Sequence, residues 1–90
     1  MKIIVNTCYG LFELKESVAE TYGLSVYDHG FDVRMNPELI ARIENGEDIG
    51  SIFSKLEVVT IPDDITDVVV EDEDGMENLI YVRNGRIFFA

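Results

Sequence analysis

The chain has 90 residues, of which 18 are acidic and seven are basic, so its formal charge is −11 at neutral pH. A chain this short forms one domain, residues 1–90, with a single small core, which excludes a multidomain enzyme. The negative charge argues against direct nucleic-acid binding, because neutralising phosphates requires basic side chains. Cys8 is the only cysteine, which excludes an internal disulfide bond and fits a reducing compartment.

The apolar segments are short. No run approaches the roughly 20 apolar residues that a membrane-spanning helix needs. The apolar stretch Ile3–Val5 is also too short for the central region of a signal peptide. We therefore expect a cytoplasmic protein with no membrane partner.

The first half of the chain predicts a strand and two helices. Lys2–Thr7 is rich in β-branched residues and reads as a buried strand. Glu13–Tyr22 carries apolar residues at every fourth position and is followed by Gly23, which predicts a helix that ends there. Asn36-Pro37 is a typical helix start, and Asn45-Gly46 is a typical helix end.

Two intervening segments have weaker patterns. Leu24–Tyr27 alternates apolar and polar residues, which predicts a short strand or extended segment before a turn at Asp28–Gly30. Asp48–Lys55 keeps helical spacing of its apolar residues but contains a glycine and two serines, so a short third helix is an open alternative.

The second half predicts four strands. Pro62 and the two aspartates after it favour a turn over continued strand pairing. The predicted strands are Leu56–Ile61, Thr66–Glu71, Glu77–Arg83 and Arg86–Phe89.

Asn84-Gly85 predicts a two-residue hairpin between the last two strands, because both residues tolerate positive φ. Its register places Arg83 opposite Arg86. Two like charges in that position repel each other. We expect Glu71 or Glu77 on the neighbouring strand to neutralise them.

The hairpin register also predicts which face is buried. It places four apolar side chains on one face: Ile80, Val82, Ile87 and Phe89. We expect that face to be core. The predicted fold is α+β, an antiparallel sheet of about four to five strands, made of the C-terminal β-meander plus the N-terminal strand, with two helices packed on one face.

The charge distribution suggests a function. The segment Leu56–Val82 contains nine acidic residues and no basic one. Such a region attracts a basic protein surface and can imitate the phosphates of a nucleic acid. The candidate partner-binding residues are Asp63, Asp64, Asp67, Asp72, Glu73, Asp74 and Glu77. The alternative is that these side chains only keep the domain soluble.

A second hypothesis is a small ligand-binding or cysteine-dependent catalytic domain centred on Cys8, Tyr9 and His29. Cys8 lies between a predicted strand and a predicted helix, where backbone N–H groups can activate a thiol. A catalytic thiol also needs a base, and His29 is the only histidine. Packing of Cys8 as a small apolar side chain is the simpler explanation.

No motif indicates a cofactor or a metal. The glycines form no phosphate-binding pattern. The acidic segment Glu71–Gly75 does not fit a calcium loop, because aligning Gly75 with the invariant glycine places Val70 and Tyr81 at ligand positions. A homodimer that covers an apolar sheet face with itself is a third hypothesis.

Three segments resemble a known family. Lys2–Gly10, with the sequence KIIVNTCYG and followed by Phe12, is similar to a family of small uncharacterised proteins encoded by phages and prophages. Leu56–Asp64 and Asp74–Glu77 agree with it, whereas Leu11 stands where such sequences tend to have a second glycine. The resemblance implies a protein in the cytoplasm of a bacterial host and no particular reaction.

Overall fold

The computed structural model describes residues 1–90 and confirms the α+β class. Five strands and three helices follow one another along the chain, and none of the helices is long and apolar enough to cross a membrane. In chain order they are β1 (Lys2–Asn6), α1 (Glu16–Tyr22), α2 (Phe31–Arg34), α3 (Pro37–Glu44), β2 (Leu56–Thr60), β3 (Asp67–Glu73), β4 (Met76–Arg83) and β5 (Arg86–Phe89).

The strands form two antiparallel sheets, so the expectation of a single sheet is wrong. β1 pairs with β2, and β3, β4 and β5 form a separate sheet in that order. The separation begins where β2 ends. The Ile61 N–H donates to the Met1 carbonyl at 2.9 Å, and Pro62 follows without an N–H to continue a ladder. The chain therefore leaves the first sheet at Pro62 and enters the second at Asp67.

β1 is the middle layer of the molecule, because its two faces pack on different partners. Ile4 lies in a cluster of buried side chains with Leu39 of α3. Ile3 and Val5 lie in a second cluster with Leu79 of β4. The helices, the two-stranded sheet and the three-stranded sheet are therefore stacked in that order.

α3 begins where the sequence predicts. The Asn36 side-chain oxygen accepts hydrogen bonds from the N–H groups of Glu38 and Leu39, at 2.9 and 3.2 Å. Pro37 is the first helical residue and has no N–H that would need a partner. The helix ends before Gly46, which has a φ of +88°.

α1 ends at Gly23 as predicted, in the left-handed conformation with φ +66°. It begins at Glu16 rather than at Glu13. Leu14 is extended and forms an isolated bridge with Gly50. The backbone groups of Leu14 are therefore used across the molecule and not within a helix.

The two weakly patterned segments contain no regular element. Leu24–Tyr27 contains no strand and has a turn at Val26 and Tyr27, and Asp48–Lys55 contains turns and the isolated bridge rather than a helix. The third helix is instead α2, a single turn that the sequence analysis did not predict.

The predicted hairpin register is confirmed, with Arg83 opposite Arg86. The anion beside them differs from the expectation. Asp64 binds the Arg83 guanidinium at 3.0 Å, whereas Glu71 and Glu77 lie elsewhere. The Pro62 turn brings Asp64 to this end of the sheet.

The expectation about the buried face of the hairpin is wrong. Ile87 is 66% exposed and Phe89 is 75% exposed. The opposite face, which carries Leu79 and Tyr81, packs on Ile3 of β1. We call the exposed side of the three-stranded sheet the outer face. Its apolar residues are Val69, Met76, Ile80, Val82, Ile87 and Phe89.

Candidate functional site

A buried ion pair joins α2 to β4. Arg34 is 2% exposed and Glu77 is 6% exposed. The two nitrogens Nη1 and Nη2 of Arg34 donate to Oε1 and Oε2 of Glu77, at 2.8 and 2.7 Å. Two parallel bonds of this kind are the strongest geometry for an arginine and a carboxylate.

Two further N–H groups of Arg34 also donate hydrogen bonds. Nε donates to the His29 carbonyl at 2.6 Å, and Nη1 donates to the Ile4 carbonyl at 3.1 Å. The guanidinium carbon lies 4.4 Å from the centre of the Phe12 ring, a cation–π contact. No buried side-chain polar atom lacks a partner, so the charge is fully compensated.

Asn6, at the end of β1, extends this network to the turn between β3 and β4. Its N–H donates to Glu77 Oε1 at 2.8 Å, and its Nδ2 donates to the Gly75 carbonyl at 2.7 Å. Gly75 has a φ of +87°, and a Cβ there would collide with the Gly10 backbone. The turn is therefore fixed against β1 and the segment that follows it.

Three of the seven candidate binding carboxylates are already paired. The expectation that Glu77 faces solvent is wrong, because the network above holds it in the interior. Two further carboxylates bind cations at the surface. The three pairs are Glu77 with Arg34, Asp63 with the N-terminal ammonium group, and Asp64 with Arg83.

The other four candidates are exposed and have no cationic partner. They are Asp67, Asp72, Glu73 and Asp74. Three of them are consecutive and, with Glu71, form what we call the acidic corner, Glu71–Asp74. Glu71 and Glu73 lie on the outer face and Asp72 on the inner one. Asp72 Oδ1 also accepts the Gly75 N–H at 2.7 Å, which shapes the turn.

Six of the seven basic side chains are engaged away from the acidic corner. The seventh, Arg86, forms no ion pair and lies opposite Arg83 at the far end of the sheet, about 17 to 23 Å along the strands from Glu71 and Glu73 at roughly 3.3 Å per residue. The others contact acidic groups or carbonyls: Lys2 with Glu44, Lys15 with the Asp48 carbonyl, Arg34 with Glu77, Arg42 with Glu47, Lys55 with Glu57 and Arg83 with Asp64.

The structure does not join Cys8 to His29. The Cys8 sulfur lies 3.4 Å from Asn6 Oδ1 and 3.5 Å from the Phe53 carbonyl oxygen. Tyr9 is exposed. The exposed ring of His29 contacts a backbone carbonyl two residues earlier, at 2.7 Å. The thiol therefore has an amide and a carbonyl beside it rather than a base.

The surface concavities do not gather the three residues of this second hypothesis either. His29 lines a cleft of about 170 Å³ that excludes Cys8 and Tyr9. Its other lining residues are Leu11, Phe12, Tyr27, Asp72 and Glu77. A larger concavity of about 480 Å³ contains none of the three. No group of three His, Cys, Asp or Glu side chains is placed to hold a metal ion.

Sequence reasoning missed two parts of this arrangement. Glu71 was left out of the candidate set, although it adjoins Asp72 and is exposed. Arg34 was not singled out, and its burial depends on contacts with residues 30 and 43 positions away. The residues around Arg34 give no sequence signal that its side chain makes such distant contacts.

Comparisons with known proteins add no relative. No protein-family model, curated protein or solved structure matches this chain. The similarity to phage and prophage proteins at Lys2–Gly10 therefore stays a prediction.

Proposed function

We propose that this chain is a non-enzymatic interaction module of the cytoplasm whose acidic corner, Glu71–Asp74, binds a basic protein surface. The observation that carries the proposal is that four consecutive exposed carboxylates have no cationic partner, while every basic side chain except Arg86 is engaged elsewhere. Asp67, on the same strand, adds a fifth unpaired charge. A basic partner would supply the neutralisation that the chain itself does not.

The linear density of these charges supports imitation of a nucleic acid. Carboxylates follow one another along the strand at about 3.4 Å of rise per residue, with Glu71 and Glu73 on one face and Asp72 on the other. One strand of B-DNA also carries about one charge per 3.4 Å of axis. A basic host or phage protein that normally holds nucleic acid is therefore the favoured partner, in keeping with the phage resemblance.

Paired charge variants test the proposal against a lysine-rich peptide. The first variant combines Glu71→Gln, Asp72→Asn, Glu73→Gln and Asp74→Asn. The control combines Glu16→Gln, Glu20→Gln, Asp32→Asn and Glu38→Gln, which removes the same charge from exposed helical positions without ion pairs. We expect the first variant to weaken binding at least about tenfold and the control less than about twofold, because local charge outweighs net charge at physiological ionic strength.

Two results would contradict the proposal. One is equal weakening by both variants, which would mean that only net charge matters. The other is binding that does not weaken with salt. A separate titration tests the imitation: double-stranded DNA and this chain should compete for the same peptide.

A further inference from the structure

The free edge of β5 has features that the acidic corner does not explain. β5 contacts no strand or helix other than β4. All four of its residues are exposed, including three large apolar ones. The opposite edge of the sheet, β3, carries Asp67 and the acidic corner, and the Asp67 side chain also binds the edge N–H of Val68 at 2.9 Å. Charged residues protect an edge strand from pairing with another chain. β3 is therefore protected, whereas residues 87–89 of β5 carry no charge.

The backbone of β5 offers hydrogen-bonding groups at this edge. The Ala90 N–H donates to the Leu79 carbonyl at 2.8 Å. Backbone groups alternate in direction along an antiparallel strand. The backbone N–H and C=O groups of Phe88 therefore point toward β4. The corresponding groups of Ile87 and Phe89 point away from β4, to the open edge.

We propose that β5 pairs antiparallel with β5 of a second copy, forming a homodimer with a continuous six-stranded sheet. The register follows from the open groups. Placing Ile87 of each copy opposite Phe89 of the other uses all of them and forms four backbone hydrogen bonds around a two-fold axis. Phe88, which stacks on Tyr81 at 5.3 Å between ring centres, then faces Phe88 of the second copy on the inner side.

The charge distribution favours a second copy of this chain as the partner that pairs with β5. β5 has no acidic residue. In the six-stranded order the two β3 strands lie five strand spacings apart, about 24 Å. That exceeds the screening length of about 8 Å at physiological ionic strength. Packing two outer faces against each other would instead bring the sheets, with Asp67 and Glu71, to about 10 Å. Edge pairing therefore keeps the two acidic β3 strands farther apart than face packing does.

The proposal goes beyond the binding of a basic partner and does not depend on it. Its consequence is a dimer that presents two acidic corners at the outer ends of one sheet.

Sedimentation equilibrium of the 90-residue chain, from about 10 µM to about 1 mM, tests the dimer; this range suits a small interface. Ile87→Pro removes an edge-facing N–H that β4 does not use, and proline is tolerated at such positions. Because the substitution is present in both copies, it removes two of the four hydrogen bonds. We therefore expect the dissociation constant of the dimer to rise at least about tenfold.

Two lysine substitutions on the outer face separate edge pairing from face packing. Phe89→Lys, at the edge, should weaken the dimer even if Ile87→Pro perturbs folding. Val69→Lys lies on the same face but on β3, and should leave the dimer unchanged. A chain that stays monomeric up to about 1 mM overturns the proposal. So does a dimer that Val69→Lys abolishes and Phe89→Lys spares.

Discussion

β1 and β5 have similar apolar content and opposite environments. Ile3, Ile4 and Val5 of β1 are almost completely buried, whereas every residue of β5 is exposed. β1 lies between the helices and the three-stranded sheet, and β5 is the edge of the outermost layer. The depth of an apolar strand in this molecule is therefore set by which layers cover it, and not by its composition.

The polar groups at the ends of the two strands differ in the same way. Asn6 ends β1 inside the network of Arg34 and Glu77, with every polar side-chain atom bonded. Arg86 begins β5 without an ion-pair partner. Hydrogen bonds therefore hold the end of β1 in place, whereas no ion pair holds the side chain at the start of β5.

Breaking the buried ion pair should have the largest effect on stability. Arg34→Met leaves Glu77 buried without its cation, and we expect the free energy of unfolding to fall by about 3 to 5 kcal/mol. Chemical denaturation followed by circular dichroism measures it. The matched control adds Glu77→Gln, which removes the stranded charge while still accepting the Asn6 N–H. The double variant should be more stable than Arg34→Met, and the reverse order would contradict the assigned network.

Truncating a buried side chain of β1 should have the second-largest effect on the free energy of unfolding. Ile4 is fully buried between β1 and the helices. Ile4→Ala removes buried methyl and methylene groups and leaves a cavity, so we expect a loss of about 3 kcal/mol in the same denaturation assay. A loss below about 1 kcal/mol would place Ile4 outside a tightly packed core.

Removing the cap of α3 should have a smaller effect. Asn36→Ala deprives the N–H groups of Glu38 and Leu39 of their acceptor, which costs about 1 kcal/mol. Asn36→Asp is the control, since a carboxylate accepts the same bonds and suits the positive end of the helix dipole. An alanine variant as stable as the aspartate variant would mean that the cap contributes nothing.

Truncating a side chain of β5 should have the smallest effect on the free energy of unfolding. Phe89→Ala removes a larger side chain than Ile4→Ala, yet Phe89 is mostly exposed. At concentrations low enough to keep the chain monomeric, we expect a change within about 0.5 kcal/mol. A loss comparable to that of Ile4→Ala would show that β5 is covered in solution and would remove the difference between the two strands.

Local signals predicted the features that depend on neighbouring residues. The Asn36-Pro37 helix start, the Gly23 helix end and the Asn84-Gly85 hairpin register each follow from the conformation that those residues favour. The structure confirms all three. The α+β class followed from the order of these elements.

The features that depend on distant contacts were not predictable in this way. Both faces of the final hairpin carry apolar residues, so the pattern alone could not select the buried one. The choice is fixed by Glu77, which shares a face with Leu79 and must reach Arg34. The wrong face was assigned to the core because its four hairpin residues are all apolar, whereas the other face carries Arg83 and Arg86.

The candidate site was predictable only as a region. The absence of basic residues in Leu56–Val82 indicated an acidic surface, but not which carboxylates remain free. Pairing of Asp63 and Asp64 depends on how the Pro62 turn meets the N-terminus and Arg83. Within this segment, the carboxylates that remain exposed and unpaired are Asp67 and the four of the acidic corner.

Amide chemical-shift mapping tests the central claim most directly. A lysine-rich peptide is titrated into the isotopically labelled chain, and the shift of each backbone amide is followed. We predict that the amides of Glu71–Asp74 and Gly75 shift most and return as salt is added. Shifts of equal size at Glu16, Glu20 and Glu38 would contradict a specific acidic site, as would shifts confined to Leu11, Tyr27 and His29.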